Sequence, residues 1–395
     1  MSISFPAELL ELFVIQSSIP TRKALRSTCR ALRSIATPFV FENLIIDTRN
    51  KKRSSKFLKH LCSKNGFAKY VLHLHLVSLT FQGKTMLGLR KERDCEKLLL
   101  AVIPHLTSLK SVSCSALDKR IVTNTELWSA LRHITSFSLT NWDGNKPISI
   151  PGLHLPDLTS LSYSGTGSLE YASALVGLST RLTTLNVHYN LHPDDRPDPY
   201  AHFVYVLFRK CRAVSLTSLS LSGNISLGLL EVHFLVPLLH RLQSLSLNLD
   251  SVPPDFWMSM SLHGIFIKER FALMMWEPEA AVFDYLCSYI GLKHLFLRIK
   301  DGKDDERVTS LMRKHRTMLI SVDIAKPSSL VRYHIWMSSE LSSIAVIFSL
   351  MILNLCYRSD RGLKGMELID RGGKSLMYAT CMQSDCQPLL NSFCN

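Results

Sequence analysis

The stretch from Leu216 to Asn224 reads Leu-Thr-Ser-Leu-Ser-Leu-Ser-Gly-Asn, with leucine at its first, fourth and sixth positions. Side chains on a strand alternate between two faces, so Leu219 and Leu221 point the same way. This spacing predicts a short strand with one apolar side in a core. Asn224 is predicted at the turn that follows, where its amide can bond backbone groups that a bend leaves unpaired.

The same spacing recurs along the middle of the chain. Residues 182–190 form a second full match that includes the Asn, and residues 158–163 and 242–247 keep the apolar part. The central apolar residues of the copies are Val112, Phe137, Leu161, Leu185, Leu219, Leu245, Leu295 and Val322. Most lie 24 to 27 residues apart, a period typical of solenoids built from one strand and one helix per repeat.

Two intervals are longer, at 34 and 50 residues. The first contains the proline-rich segment 192–199, which we predict to be a loop. The second has the length of two repeats and predicts a degenerate strand near Ile265 and Ile267. Upstream, residues 70–76 alternate strictly and predict the first strand of the array.

This pattern resembles leucine-rich repeats, and the resemblance covers residues 70–326. It implies an α/β fold, an irregular solenoid with parallel strands on one face and helices on the other. The polar positions between the apolar ones are expected to contact a bound partner. The candidate partner-binding residues are Ser160, Ser162, Thr184, Asn186, Ser218, Ser220, Ser244 and Ser246. They are small, which favours a flat binding surface over a deep catalytic pocket.

The N-terminal residues predict a compact helical module. Residues 6–16 read as a helix in which Leu9, Leu12 and Phe13 form one apolar stripe, while Leu10 and Val14 form another. One stripe can cover the module's own core, and the other needs a partner. A second helix is predicted from Thr21, as its cap, to Pro38, followed by an apolar cluster from Phe39 to Leu44.

Residues 1–48 resemble the F-box. The family's opening element is matched by Phe5-Pro6-Ala7-Glu8-Leu9-Leu10, its Cys-Arg element by Thr28-Cys29-Arg30-Ala31-Leu32, and its closing aromatic by residues 39–44. The sequence has Phe5 where the family often has Leu, and Leu32 where it often has Trp; both replacements are apolar. The resemblance implies a three-helix module that precedes the array, joined to it by a basic helical linker over residues 49–69.

A non-catalytic function follows from these two resemblances: the substrate-recognition subunit of a Skp-cullin-F-box ubiquitin ligase. The residues implied in docking on the Skp-type adaptor, and through it on a cullin-RING ligase, are Phe5, Pro6, Leu9, Leu10, Phe13, Leu25, Cys29 and Leu32. The repeats would hold an unknown protein substrate. The alternative is a repeat-based interaction scaffold with no ubiquitin connection, in which the N-terminal helices only cap the array.

The charge distribution favours a protein partner. The chain has a formal net charge of +14, and residues 1–70 hold 13 Lys/Arg against 4 Asp/Glu. Because the implied adaptor is acidic, Arg22, Lys23, Arg26 and Arg30 are expected to speed encounter. The basic run 49–69 has only Phe57 and Phe67 within it to stack on bases, with Tyr70 just beyond, which disfavours nucleic acid.

Other chemistry finds little support in the sequence. No GxSxG, HExxH, GxxxxGK[ST] or GxGxxG motif occurs, and no cofactor is expected. A metal cluster of His188, His192, Asp194 and Asp195 is a weaker interpretation than a strand histidine beside a solvated loop, and Cys381, Cys386 and Cys394 fit no standard zinc spacing. We therefore expect no metal-binding residues.

The remaining expectations concern the C-terminal tail and location. From about Pro327 the repeat pattern stops, and residues 327–395 are expected to be irregular. The uncharged stretch 341–357 is short for a membrane span of roughly 20 residues, so a membrane-anchored protein is a third, weaker interpretation. Ten dispersed cysteines without a CxxC pair, and the lack of a signal peptide, predict a cytoplasmic or nuclear protein.

Overall fold

A computed structural model describes residues 6–47, 51–62, 66–79, 97–117, 125–142, 155–166, 169–189, 203–209, 215–223, 225–275, 280–298, 305–326, 331–336, 366–369 and 375–379. The chain divides into two compact units. The first comprises Met1–Leu182 and Val206–Val214, and the second comprises Thr183–Tyr205 and Ser215–Asn395. Phe5, Asn224, the loop 192–199, the stretch 341–357 and the three C-terminal cysteines lie outside the described residues.

The first unit begins with three helices, α1 (Ala7–Gln16), α2 (Ile19–Thr28) and α3 (Arg30–Phe41). The single helix predicted from Thr21 to Pro38 is wrong, because Cys29 is extended and separates α2 from α3. The cap of α2 is Ser18, whose hydroxyl oxygen accepts from the Thr21 N–H, and the Cys29 sulfur accepts from the Leu32 N–H at the start of α3. Pro38 lies inside α3.

Five parallel strands follow the helices in the described part of the first unit. They are β1 (Asn43–Asp47), β2 (His73–Leu79), β3 (Ser111–Leu117), β4 (Ser136–Trp142) and β5 (Ser160–Gly165). Each pairs with the next in parallel. The array therefore begins one strand earlier than predicted, at Asn43, within the range assigned to the F-box resemblance.

Helical segments lie between these strands. They are α4 (Lys51–Cys62), the 3-10 turn Ala68–Tyr70, residues 97–102 with the 3-10 turn Ile103–His105, Thr125–Ala130 and Glu170–Leu178. Trp128 shows how a helix is held to its strand, because its ring meets the ring of Phe137 on β4 edge-on, with centroids 5.5 Å apart. Both rings are buried.

In the described part of the second unit, six parallel strands are followed by one antiparallel strand of the same sheet. They are β6 (Thr184–Tyr189), β7 (Ser218–Ser222), β8 (Ser244–Asn248), β9 (Arg270–Met274), β10 (His294–Arg298), β11 (Ser321–Lys326) and the antiparallel β12 (Val331–Trp336). The helical segments of this part of the chain are Phe203–Phe208, Leu229–Leu235, Val236–Leu239, Pro254–Leu262, Ala280–Cys287 and Asp305–His315. Residues Met366–Ile369 (β13) and Ser375–Ala379 (β14) form an antiparallel pair. The parallel pattern thus ends with β11, where the repeat spacing in the sequence ends.

The predicted central residues of the repeats stand in register. Val112, Phe137 and Leu161 are partners on β3, β4 and β5, and Leu185, Leu219 and Leu245 are partners on β6, β7 and β8. All are buried. The structure therefore has the predicted α/β architecture of parallel strands that alternate with helices.

The 50-residue interval does contain two repeats, but the strand is not at Ile265 and Ile267. It is β9, where Phe271 pairs with Leu245 on one side and Leu295 on the other. Ile265 and Ile267 are buried ahead of the strand, and their carbonyls accept hydrogen bonds from the Tyr285 and Tyr289 hydroxyls, each at 2.8 Å.

Threonines at the start of the strands link successive repeats. The Thr135 carbonyl accepts from the N–H groups of both Thr159 and Ser160, and the Thr159 hydroxyl donates to the same oxygen at 3.0 Å. In the second unit Thr217 repeats this contact with the Thr183 carbonyl at 3.2 Å. The Thr in the Leu-Thr-Ser-Leu spacing is therefore a scaffold residue.

Candidate protein-binding surfaces

The stripe of Leu9, Leu12 and Phe13 on α1 is exposed, with exposed fractions of 54, 55 and 56%. Val14 on the same helix is fully buried. The two apolar stripes predicted for this helix therefore divide: Val14 packs inside the first unit, and the other stripe faces solvent. Three large apolar side chains side by side in water form the kind of patch that marks an interaction site.

Arg22 of α2 holds the end of α1. Its Nε donates to the Val14 carbonyl at 3.0 Å, and its Nη2 donates to the Ile15 carbonyl at 2.6 Å. These are carbonyls of the last turn of α1, which carry the negative end of its dipole. The Val14 oxygen also accepts from the Ser17 N–H at 3.1 Å. The guanidinium also lies 5.8 Å from the ring centroid of Phe39 on α3. Arg22 thus fixes the orientation in which the exposed stripe is presented.

The end of α3 joins the helical module to the strands. The Phe41 ring stacks on Phe67 with centroids 4.7 Å apart, and the Arg26 guanidinium lies 5.0 and 5.3 Å from these two ring centroids. Arg26 Nε also donates to the Thr37 hydroxyl oxygen at 3.1 Å. Cation-π contacts and a charge-assisted hydrogen bond therefore fix α2, α3 and the turn before β2 together.

The residues predicted to dock on an adaptor are divided by the structure. Pro6, Leu9, Phe13 and Cys29 are exposed, and Leu10, Leu25 and Leu32 are half-buried. Leu12 is missing from the predicted set although it is as exposed as Leu9, and the i, i+3, i+4 spacing of the stripe already identified it. Ile15 and Ile19 lie nearby in the sequence, and their apolar side chains are 40 and 51% exposed.

The predicted steering cations also divide. Lys23 and Arg30 are exposed, whereas Arg22 and Arg26 are half-buried and engaged in the contacts above. The expectation that all four attract an acidic partner stays a prediction, since the partners of Arg22 and Arg26 are neutral and both guanidinium groups keep their charge while serving the module's own packing.

The polar positions of the strands form rows. In the first unit Ser111, Ser136 and Ser160 are partners on β3 to β5. The adjacent row is Ser113, Ser138 and Ser162. These serines are half-buried or exposed, so the outer side of these strands is flat and hydroxyl-rich.

The second unit also has rows of small polar side chains on its first strands, and different side chains on β9 and β10. Its rows begin with Thr184, Ser218 and Ser244 and with Asn186, Ser220 and Ser246. At β9 and β10 the same positions hold Arg270 and His294 in one row, and Ala272 and Phe296 in the other. Arg270 is exposed and His294 and Phe296 are half-buried. The surface thus changes from small hydroxyls to cationic and aromatic side chains.

Histidines on the strands bond to serines on the next strand. His73 Nδ1 lies 2.7 Å from the Ser111 hydroxyl, His188 Nδ1 lies 2.9 Å from that of Ser222, and His294 Nδ1 lies 2.7 Å from that of Ser321. His188 is therefore part of a cross-strand pair. Among the described residues no group of three His, Cys, Asp or Glu could hold a metal ion, and residues 192–195 lie outside them.

Comparisons with known proteins leave the family open. No protein-family model matches the chain, and no curated protein matches it. Among solved structures it is similar to a Bacteroides fragilis protein determined by a structural genomics consortium, with a TM-score of 0.34 and 8% identity over 59% of this chain and 72% of that one.

In the part of the chain that the structure describes, no helix combines the length and the apolar character needed to cross a membrane.

Proposed function

We propose that this chain is an F-box protein with leucine-rich repeats, the substrate-recognition subunit of a Skp-cullin-F-box ubiquitin ligase. In this proposal α1 docks on the Skp-type adaptor, and the strand rows hold the protein to be ubiquitinated. The chain itself performs no covalent chemistry. It raises the effective concentration of the target near the ligase.

The exposed stripe of α1 is the observation that carries the proposal. Leu9, Leu12 and Phe13 leave more than half of their surface in water, while Val14 one residue further on is fully buried. A helix that offers anchors at i, i+3 and i+4 suits a partner with an apolar groove. The fixed orientation of α1, through the two hydrogen bonds from Arg22, lowers the entropy that docking would cost.

Direct binding tests the proposal. The full chain and a purified Skp-type adaptor would be mixed and their dissociation constant measured by calorimetry, for the unmodified chain and for the double variant Leu9→Ala/Phe13→Ala. Truncation of two interface anchors is expected to weaken binding by roughly a hundredfold. Leu262→Ala is the matched control, because Leu262 is an 85% exposed leucine on a helix of the second unit. Lack of association by the unmodified chain would sink the proposal.

A second function, a repeat scaffold without any ubiquitin connection, is favoured by one observation. The stack of Phe41 on Phe67 and the pairing of β1 with β2 make α3 the natural cover for the end of the array, as terminal repeats require. Deletion of residues 1–45 cannot separate the two functions, because it would cut β1, remove the buried Leu44 and leave the buried Ile46 without the rest of its strand. The Leu9→Ala/Phe13→Ala variant can separate the two functions, because its repeat array stays folded. A scaffold would keep its partners in this variant, whereas an F-box protein would lose the adaptor.

A further inference from the structure

One face of α3 and the segment from Gly66 to Tyr70 enclose an open cavity of about 270 Å³ in the first unit. Its polar lining consists of three cations, Arg30, Arg33 and Lys69, and three hydroxyl residues, Ser34, Thr37 and Tyr70. Among the described residues, no Asp or Glu lines it. The basic character of residues 1–70 is thus concentrated, in part, around one cavity.

Helix geometry places the α3 residues together. Arg30, Arg33, Ser34 and Thr37 are spaced i, i+3, i+4 and i+7, which puts them on one face of the helix. The opposite wall is the 3-10 turn Ala68–Tyr70, preceded by Phe67. This wall is fixed, because Phe67 stacks on Phe41 and lies under the Arg26 guanidinium. The cations therefore converge from two elements whose relative position is set by packing.

The cations have little internal compensation. Arg33 Nε donates to the Arg26 carbonyl at 3.4 Å, a contact that leaves the Nη groups of the guanidinium for other acceptors. Lys69 Nζ lies 5.0 Å from the centroid of the Tyr70 ring, and Arg30 is exposed at the first position of α3. Like charges held close together repel, so an anion in the cavity would stabilise the folded unit.

The chemistry of the lining defines the ligand. Guanidinium groups bind phosphate oxygens in pairs, and ammonium groups bind them as point charges. The Ser34 and Tyr70 hydroxyls can donate further hydrogen bonds, whereas the Thr37 hydroxyl already donates to the Arg33 carbonyl. The rings that could stack a base are occupied, since Phe67 is stacked on Phe41 and Tyr70 faces Lys69. We infer that the cavity formed by Arg30, Arg33 and Lys69 is an oxyanion site that binds a phosphate or pyrophosphate group. This inference is independent of adaptor docking, which uses the stripe on α1.

Pyrophosphate is the probe for the test. Its dissociation constant for the full chain would be measured by calorimetry, together with the melting temperature in pyrophosphate and in sodium chloride of equal ionic strength. We expect saturable binding of one equivalent and a higher melting temperature in pyrophosphate. The triple variant Arg30→Gln/Arg33→Gln/Lys69→Gln should bind at least a hundredfold more weakly and lose the difference between the two salts.

A matched triple variant separates a site from overall charge. Arg241→Gln/Arg313→Gln/Arg316→Gln removes three exposed cations of the second unit and should leave pyrophosphate binding unchanged. Lys69→Gln alone, which leaves α3 intact, should weaken binding roughly tenfold, the effect of one charge-assisted contact. The inference is overturned if pyrophosphate acts no differently from chloride, or if the two triple variants lose binding equally. Adaptor affinity is not measured in this experiment, so its outcome is separate from that of the proposed function.

Discussion

The carboxylate of Glu231 accepts a hydrogen bond from the backbone N–H of Val204, with 2.6 Å between the nitrogen and the oxygen. Val204 lies in the preceding helix, Phe203–Phe208. The second carboxylate oxygen of Glu231 accepts from the Gly228 N–H at 2.8 Å, at the start of its own helix Leu229–Leu235. Glu231 is 2% exposed. One buried side chain therefore satisfies backbone donors at the first turns of two successive helices, where helices have donors without partners and favour negative charge.

Glu231→Ala should destabilise the second unit strongly. It leaves the N–H of the buried Val204 and that of the half-buried Gly228 without these acceptors, and we expect the free energy of unfolding to fall by about 3 kcal/mol. Urea unfolding followed by circular dichroism measures this change. Glu306→Ala is the control, since Glu306 is exposed on a helix of the same unit, and it should shift stability by less than about 0.5 kcal/mol. Equal effects of the two substitutions would contradict the role given to Glu231.

Gly223 should tolerate no side chain. Its φ of +137° is a conformation that other residues rarely adopt, and a Cβ placed there would lie 1.7 Å from the Tyr189 carbonyl oxygen. Gly223→Ala must therefore separate two repeats that approach each other closely. We expect a loss of about 3 kcal/mol or more.

Gly264 supplies the comparison for that substitution. Its φ is +64°, and a Cβ there meets nothing within 4 Å, so Gly264→Ala should cost only the backbone strain of about 1 kcal/mol. Both variants would be compared by their urea midpoints. A Gly223 variant no less stable than the Gly264 variant would show that the approach of Gly223 to Tyr189 does not matter.

Much of the strand arrangement was predictable because the apolar spacing that defines a strand also places it in register. Leu185, Leu219 and Leu245 hold the same position in three successive repeats, and a slip of one residue would turn their side chains out of the core. The sequence places the strand before β10 at Ile265 and Ile267, and not at β9, because two apolar residues separated by one position also fit the alternation of a strand. Their carbonyls bond to Tyr285 and Tyr289 of the next repeat, a contact between residues 20 and 22 apart that local spacing does not encode.

The N-terminal surface was predictable in part. The double stripe of α1 in the sequence implied one buried side and one exposed side, and the structure buries Val14 and exposes Leu9 and Phe13. The break between α2 and α3 was missed because Leu25 and Leu32 keep a helical spacing across it. The roles of Arg22 and Arg26 depend on tertiary contacts, which a list of basic residues does not contain.

Stability should fall in mild acid because of His315. This side chain is 1% exposed; its Nε2–H donates to the Leu286 carbonyl at 2.9 Å, and its Nδ1 accepts from the Leu292 N–H at 3.2 Å. The ring is therefore neutral. Burial lowers the pKa of His315 from its ordinary 6.5, Lys314 lowers it further, and the Leu286 carbonyl opposes them.

The sign follows from which state binds more protons. Below pH 6.5 the unfolded chain protonates His315 before the folded chain does, so its contribution is present above that pH and is lost as the pH falls. Between pH 7.5 and 5.5 we expect a loss of about 1 kcal/mol from this group, measured by urea unfolding. His315→Gln keeps a donor and an acceptor without titrating, and this variant should show a smaller loss over the same range. An identical pH dependence in the variant would exclude His315 as the cause.

The strand rows should be required for capture of a target. Ser220→Arg/Ser246→Arg places two long side chains on adjacent strands of the second unit, in one row of the flat surface. Both positions are half-buried. Proteins that the unmodified full chain captures from a lysate, identified by mass spectrometry, should be depleted in the capture by the double variant. The urea midpoint of the double variant should equal that of the unmodified chain. Thr317→Arg, at an exposed turn after a helix, should capture the same proteins as the unmodified chain.

Substitutions of two neighbouring cations on α2 should weaken adaptor binding in different ways, one through the association rate and the other through the dissociation rate. Lys23 is exposed, so Lys23→Glu should lower the association rate with an acidic adaptor several-fold at low salt, and raising the salt should erase the difference. Arg22→Ala should act through structure instead, because it removes the two hydrogen bonds that hold the end of α1. Its expected signature is faster dissociation that persists at high salt, together with a loss of stability of about 2 kcal/mol. Surface plasmon resonance at two salt concentrations distinguishes these outcomes. If the Arg22 variant differed from the unmodified chain only in its salt-dependent association rate, Arg22 would be a steering charge and the orientation of α1 would have to be held by other contacts.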